Sequence, residues 1–119
     1  MFEIKIEKKS NHIWVDLIGK LINEDDAKIL SDQIMSNISK THSKVIFNLS
    51  DLEYINSSGF NNILKVLTST RNLGGETILC NANSLIEKLL ITTKLNTIFN
   101  VQSNIENLDD FLNKNLYGS

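Results

Sequence analysis

The feature that most limits the fold is the run Val45, Ile46, Phe47, Asn48, Leu49, which is apolar at every position but one. A strand of this composition belongs in the middle of a sheet, covered on both faces. Its flanks read as helices. Ahead of it, Ala27, Leu30, Ile34 and Ile38 recur at helical spacing and form one apolar stripe. After it, Phe60, Ile63, Leu64 and Leu67 do the same. A buried strand between two amphipathic helices implies crossover connections and a mostly parallel sheet.

The remaining segments extend this plan at both ends. Phe2, Ile4 and Ile6 alternate with Glu3, Lys5 and Glu7. After the turn Lys8, Lys9, Ser10, Asn11, the residues Ile13, Val15 and Leu17 alternate with Trp14, Asp16 and Ile18. Period-two alternation on both sides of a turn predicts a hairpin, with its second strand ending near Gly19. Asn23 or Glu24 opens the first helix, and Asp25 and Asp26 fall in its first turn, where acids favour the helix dipole. Gly74 and Gly75 stop the second helix. Thr77, Ile78, Leu79 and Cys80 read as the next strand. Asn83 or Ser84 caps a short helix carrying Leu85, Ile86, Leu89 and Leu90, and Ile98, Phe99, Asn100 and Val101 read as a short last strand. Ser103 and Glu106 match a capping box before a final helix lined by Ile105, Leu108, Phe111 and Leu112. The order is β-β-α-β-α-β-α-β-α, an α/β chain. With 119 residues and no linker or repeat, one domain over residues 1–119 is expected.

Composition narrows the function classes. A net charge of −2 with scattered lysines argues against nucleic acid as a direct partner. No apolar run approaches the ~18 residues that span a bilayer, and the alternating N-terminus reads as a strand rather than a signal peptide. Cys80 is the sole cysteine, which precludes an internal disulfide and suits a buried, inert thiol. A reducing, cytoplasmic location is the expectation. His12 and His42 sit in turn-like settings with no cysteine or paired acid at ligand spacing, so no metal is expected. Gly74 and Gly75 do not belong to a phosphate-binding loop. No other cofactor motif stands out. Trp14 is either on a wet strand face or packed under a helix, and partial burial is the expectation.

After Leu49 a short polar turn is expected, and the stretch Ile55, Asn56, Ser57, Ser58, Gly59, Phe60 then opens a helix expected over residues 58–71. Helix starts leave backbone N–H groups unpaired and carry partial positive charge. Serines there have two readings. Ser57 and Ser58 can cap the helix. A hydroxyl held at the surface beside those donors also suits phosphorylation, which adds about −1.5 to −2 charges. The two can coexist, with Ser58 capping and Ser57 modified. Ser57 has no evident base and acid beside it and no Gly-x-Ser-x-Gly elbow around it, so no catalytic residue is expected and the chain is not read as an enzyme.

These segments together resemble the STAS domain, and within it the bacterial anti-sigma factor antagonists. Residues 45–52 with Ile55, Asn56, Ser57, Ser58, Gly59 and Phe60 are similar to that family's strand and its Asp-Ser-Ser/Thr/Ala-Gly-Leu turn. Residues 74–80 are similar to its Gly-Gly-x-hydrophobic strand, and residues 90–99 to its late helix and return strand. With the hairpin and Gly19, Lys20, Leu21, the resemblance covers nearly the whole chain. It implies a small mixed β-sheet, with a leading hairpin and then mostly parallel strands, and helices packed chiefly on one side. It also implies a regulatory binding module. In such antagonists the serine after the motif's acid is phosphorylated by an anti-sigma factor that is also a serine kinase. The unmodified form binds that partner and frees the sigma factor, and a PP2C-type phosphatase restores it. The matching residue is Ser57, and the implied partner surface comprises Asn56, Ser57, Ser58, Gly59, Phe60 and Asn61, with Asn62 beside them. The spacing of Phe60 with Ile63 and Leu67 also fits a core position. Asn56 stands where the family usually has Asp, Lys20 and Ile22 where it has acids, and Lys94 where it has glycine. Two other readings of a STAS module remain: a scaffold that is never phosphorylated, and an accessory, ligand-binding part of a transport system. The oligomeric state is open.

Overall fold

The computed structural model describes residues 1–117. Five strands form one sheet in the order β1-β2-β3-β4-β5. They are β1 (Phe2–Lys9), β2 (His12–Leu21), β3 (Lys44–Ile55), β4 (Glu76–Cys80) and β5 (Asn100–Gln102). The hairpin β1–β2 is antiparallel and every later pairing is parallel. The apolar run lies in β3, the central strand, as its composition requires.

Four helices cover the sheet: α1 (Glu24–Asn37), α2 (Ser57–Asn72), α3 (Ser84–Thr92) and α4 (Leu108–Leu112). Alternation along the strands sorts their side chains into two layers. Ile13, Val15 and Leu17 of β2, with Val45, Phe47 and Leu49 of β3, join the stripes of α1, α2 and α3 in the main core. Trp14, Ile46, Ile78 and Cys80 point to the other face and meet Ile105, Leu108, Phe111 and Leu112. Three helices on one face and a short one on the other match the expected one-sided packing. Trp14 is 3% exposed and donates from Nε1 to Asp16 Oδ1 at 2.9 Å. It is thus more deeply buried than expected.

Several boundaries differ from the sequence reading, each for a physical reason. The stretch after Leu49 is no turn. Strand β3 runs on to Ile55 and pairs with Leu21, and register shifts between Asp16 and Ile18 and between Gly19 and Lys20 absorb the irregularity. Bulges of this kind bend a strand without ending it, so Leu52 and Ile55 still reach the core while Ser50, Asp51, Glu53 and Tyr54 stay outside. Strand β2 likewise passes through Gly19 to Leu21. The last strand begins at Asn100 rather than Ile98, because a 3-10 turn at Leu95–Thr97 precedes it. The capping box is not formed: Asn107 caps α4 by accepting from Asp110 N at 2.8 Å. Lys94, where glycine would be usual, adopts the left-handed conformation at φ 62°. Gly74, at φ 78°, ends α2, and Gly75 lies so close to β3 that a Cβ there would stand 1.8 Å from the Ser43 carbonyl oxygen.

Candidate functional site

The site forms where β3 ends and α2 begins. Asn56 is the cap of α2, and its Oδ1 accepts from Gly59 N at 3.1 Å. Neither serine takes that role. Ser57 and Ser58 are the first two residues of the helix, where backbone N–H groups have no intrahelical acceptor. The Ser57 side chain is exposed, and its hydroxyl has no hydrogen-bond partner among the described residues. No acid occupies the first turn of α2. A negative charge added at Ser57 would therefore meet the positive end of the helix with no carboxylate in that turn to oppose it.

Close packing holds this corner. A Cβ at Gly59 would fall 2.6 Å from Ile55 Cγ1 and 3.0 Å from Leu21 Cγ, so only glycine lets the helix start seat on the strand ends. Asn56 adds polar ties. Its backbone N–H donates to the Leu21 carbonyl at 3.1 Å, and its Nδ2 donates to the Ile22 carbonyl at 2.8 Å. The sequence reading treated position 56 by its missing charge and overlooked it as the cap. The signal was present, since Asn ranks with Ser as a cap and the N–H it holds lies three residues on.

Of the residues named for a partner surface, Asn56, Ser57, Ser58 and Asn61 reach solvent at least in part, while Gly59 and Phe60 are buried. Phe60 is 6% exposed and packs in the main core with Ile63 and Leu67. It offers a partner almost no surface. Asn62 turns toward α1. Its Nδ2 donates to the Ser58 carbonyl at 2.8 Å, and its Oδ1 accepts from Ser31 Oγ at 2.8 Å. A groove runs between α1 and α2 from this point, lined by Glu24, Asp25, Lys28, Ser58, Asn61 and Lys65 among others. Acids and lysines share it.

A second polar cluster escaped the sequence reading. Asn48, the lone polar residue of the apolar run, donates from Nδ2 to Asp16 Oδ1 at 2.8 Å and accepts from Asn81 Nδ2 at 2.7 Å. Asn81 Oδ1 in turn accepts from Ile105 N at 3.0 Å, which ties the approach to α4 onto the sheet. These groups satisfy one another, as buried polar groups must. Beside them, burial and the nearby Asp16 push the Cys80 thiol up to about 12. Among the described residues no group of His, Cys, Asp and Glu could hold a metal ion, and no helix is long and apolar enough to cross a membrane.

The chain is similar to proteins whose names fit this geometry. Two curated relatives are named as candidate anti-sigma factor antagonists. BtrV of Bordetella bronchiseptica is 26% identical over 98 residues, covering 82% of this chain and 84% of the relative. A homolog of TM1081 from Thermotoga neapolitana is 28% identical over 106 residues, covering 88% and 91%. Among solved structures, the anti-sigma factor antagonist SpoIIAA in its unphosphorylated form superposes with a TM-score of 0.78 at 17% identity, covering 96% of this chain and 95% of its own. The phosphorylated form of SpoIIAA, a Bacillus cell fate determinant, gives 0.73 at 17% identity, covering 96% and 98%. At that identity the likeness is one of fold. The model of the STAS domain family matches residues 3–108, from the second residue of β1 to the first of α4. With the sheet order, the layers and the matched span in agreement, the chain belongs to the STAS domain family.

Proposed function

We propose that the protein is an anti-sigma factor antagonist whose binding is switched by phosphorylation of Ser57. Unmodified, it binds an anti-sigma factor that is also a serine kinase, and a sigma factor is released. Phosphorylated, it lets go, and a PP2C-type phosphatase resets it. The observation that carries this reading is the division of labour at the start of α2: Asn56 caps the helix and leaves the exposed Ser57 hydroxyl unengaged. A serine without a structural duty can be modified without cost to the fold.

Electrostatics supports a near-complete switch. A dianion on Ser57 would lie beside the free N–H groups of the first turn, so the folded state tolerates it. A partner covering that surface would have to desolvate an unmatched charge, at a cost of about 2–5 kcal/mol. This weakens binding by roughly 30- to several-thousand-fold. We read residues 1–119 as one domain acting in the cytoplasm, as a binding module rather than a catalyst. The names of the curated relatives and the phosphorylated structure of SpoIIAA support the reading.

The test is to incubate the protein with its candidate kinase and ATP and to map phosphate by mass spectrometry. The expected result is a single phosphate on Ser57, absent from Ser57→Ala. No label from a kinase that is active on another substrate would refute the switch and leave the scaffold reading in its place.

A further inference from the structure

We propose that Asn56 is a positioning residue, a latch that fixes the loop between β2 and α1 so that Ile22 and Ser57 are presented together to the anti-sigma factor kinase. The identity of the partner rests on the phosphoswitch reading; the latch itself rests on geometry. One side chain donates from Nδ2 to the Ile22 carbonyl at 2.8 Å and accepts at Oδ1 from Gly59 N at 3.1 Å. It thereby joins the loop to the helix start through a donor and an acceptor at once. Among short side chains only the amide of Asn carries both in this form. Aspartate would keep the cap and set a second acceptor against the Ile22 carbonyl. Serine would keep a capping oxygen and lack the reach.

The loop held this way does not serve the core. Ile22 is 51% exposed although its carbonyl is bound. Glu24, Asp25 and Asp26 follow it in the first turn of α1, and Glu24 and Asp25 line the groove that Ser58 and Asn61 also line. An apolar side chain on a loop fixed beside the switch serine is pre-organised for an apolar contact on the partner, since its ordering precedes binding. The chain thus places an exposed isoleucine and an amide latch beside the switch serine, and the partner it fits carries a matching apolar residue at that point.

The test uses two substitutions that keep a capping oxygen and break the bond to Ile22, Asn56→Asp by removing the donor and Asn56→Ser by shortening the side chain, together with Ile22→Ser, which keeps the carbonyl. The amide of residue 56 bonds Leu21. After correction for intrinsic rate, it should exchange with deuterium about tenfold faster in both position-56 variants. The amides of Ile63 and Val66 within α2 should not change. All three variants should keep native circular dichroism and bind the kinase about tenfold more weakly. Unchanged exchange in both position-56 variants overturns the latch. Unchanged affinity of all three, with a native protein that binds, overturns its role in presenting the loop. Weakening by Asn56→Asp alone assigns the effect to charge and overturns it as well. A native protein that binds no such kinase ends the phosphoswitch reading instead, and exchange alone then decides the latch.

Discussion

Asn56 and Ser57 are neighbours with different duties, and the difference is measurable in the isolated protein. Asn56→Ala removes the acceptor for Gly59 N and the donor to Ile22. Losing a cap of this kind costs about 1 kcal/mol, with the second bond adding to it. Ser57→Ala removes an exposed hydroxyl that has no partner among the described residues, and such changes stay within about 0.5 kcal/mol. Urea unfolding should therefore separate the two variants clearly. Equal losses would mean that Ser57 shares the capping. Cys80 gives a second test at this scale. Its thiol is buried and pushed up to about 12, so almost no thiolate forms at neutral pH. A thiol reagent at pH 8 should leave the native protein unlabelled and should label it fully once unfolded.

At the scale of elements, α4 and the strand face beneath it define one small layer. His12 opens β2, is 3% exposed and meets Phe111 edge-on with ring centroids 5.9 Å apart. Its Nδ1 is buried without a hydrogen-bond partner among the described residues. Burial, and then the nearby Lys44 ammonium, hold its pKa below the ordinary histidine value. The unfolded chain takes up a proton near pH 6.5, while the folded chain resists it until lower pH. The stability this contributes is present above about pH 6.5 and is lost as pH falls through the folded value. A His12→Gln variant should lose less stability than the native protein between pH 7.5 and pH 5.5, as followed by Trp14 fluorescence. Identical losses would rule out His12 as the source. This layer also marks the limit of what the sequence made legible. The hairpin, the central strand and the stripes of α1 and α2 were readable because burial on one face leaves a period. The buried setting of His12 and the depth of Trp14 were not, since both depend on a five-residue helix packed from the far end of the chain. The extension of β3 to Ile55 was hidden for a related reason. Its polar residues look like a turn until bulges against β2 show which of them face inward. The exposed placement of Ser57 at the helix start was legible, and the cap at position 56 was missed because two serines beside it offered the more familiar pattern.

At the scale of the molecule, a five-stranded sheet with α1, α2 and α3 on one face brings the end of β2, the end of β3 and the start of α2 to one corner. The corner is rigid because Gly59 seats against Ile55 and Leu21 and because Asn56 bridges the neighbouring loop. A rigid corner lets a local charge act as a switch, because the surface need not move for binding to change. The central claim is that the charge on Ser57 decides binding, and the direct measurement is the affinity of the anti-sigma factor kinase for the protein with and without phosphate there. The expected result is a loss of at least 30-fold on phosphorylation, with unchanged circular dichroism. Equal affinity of the two forms would contradict the account.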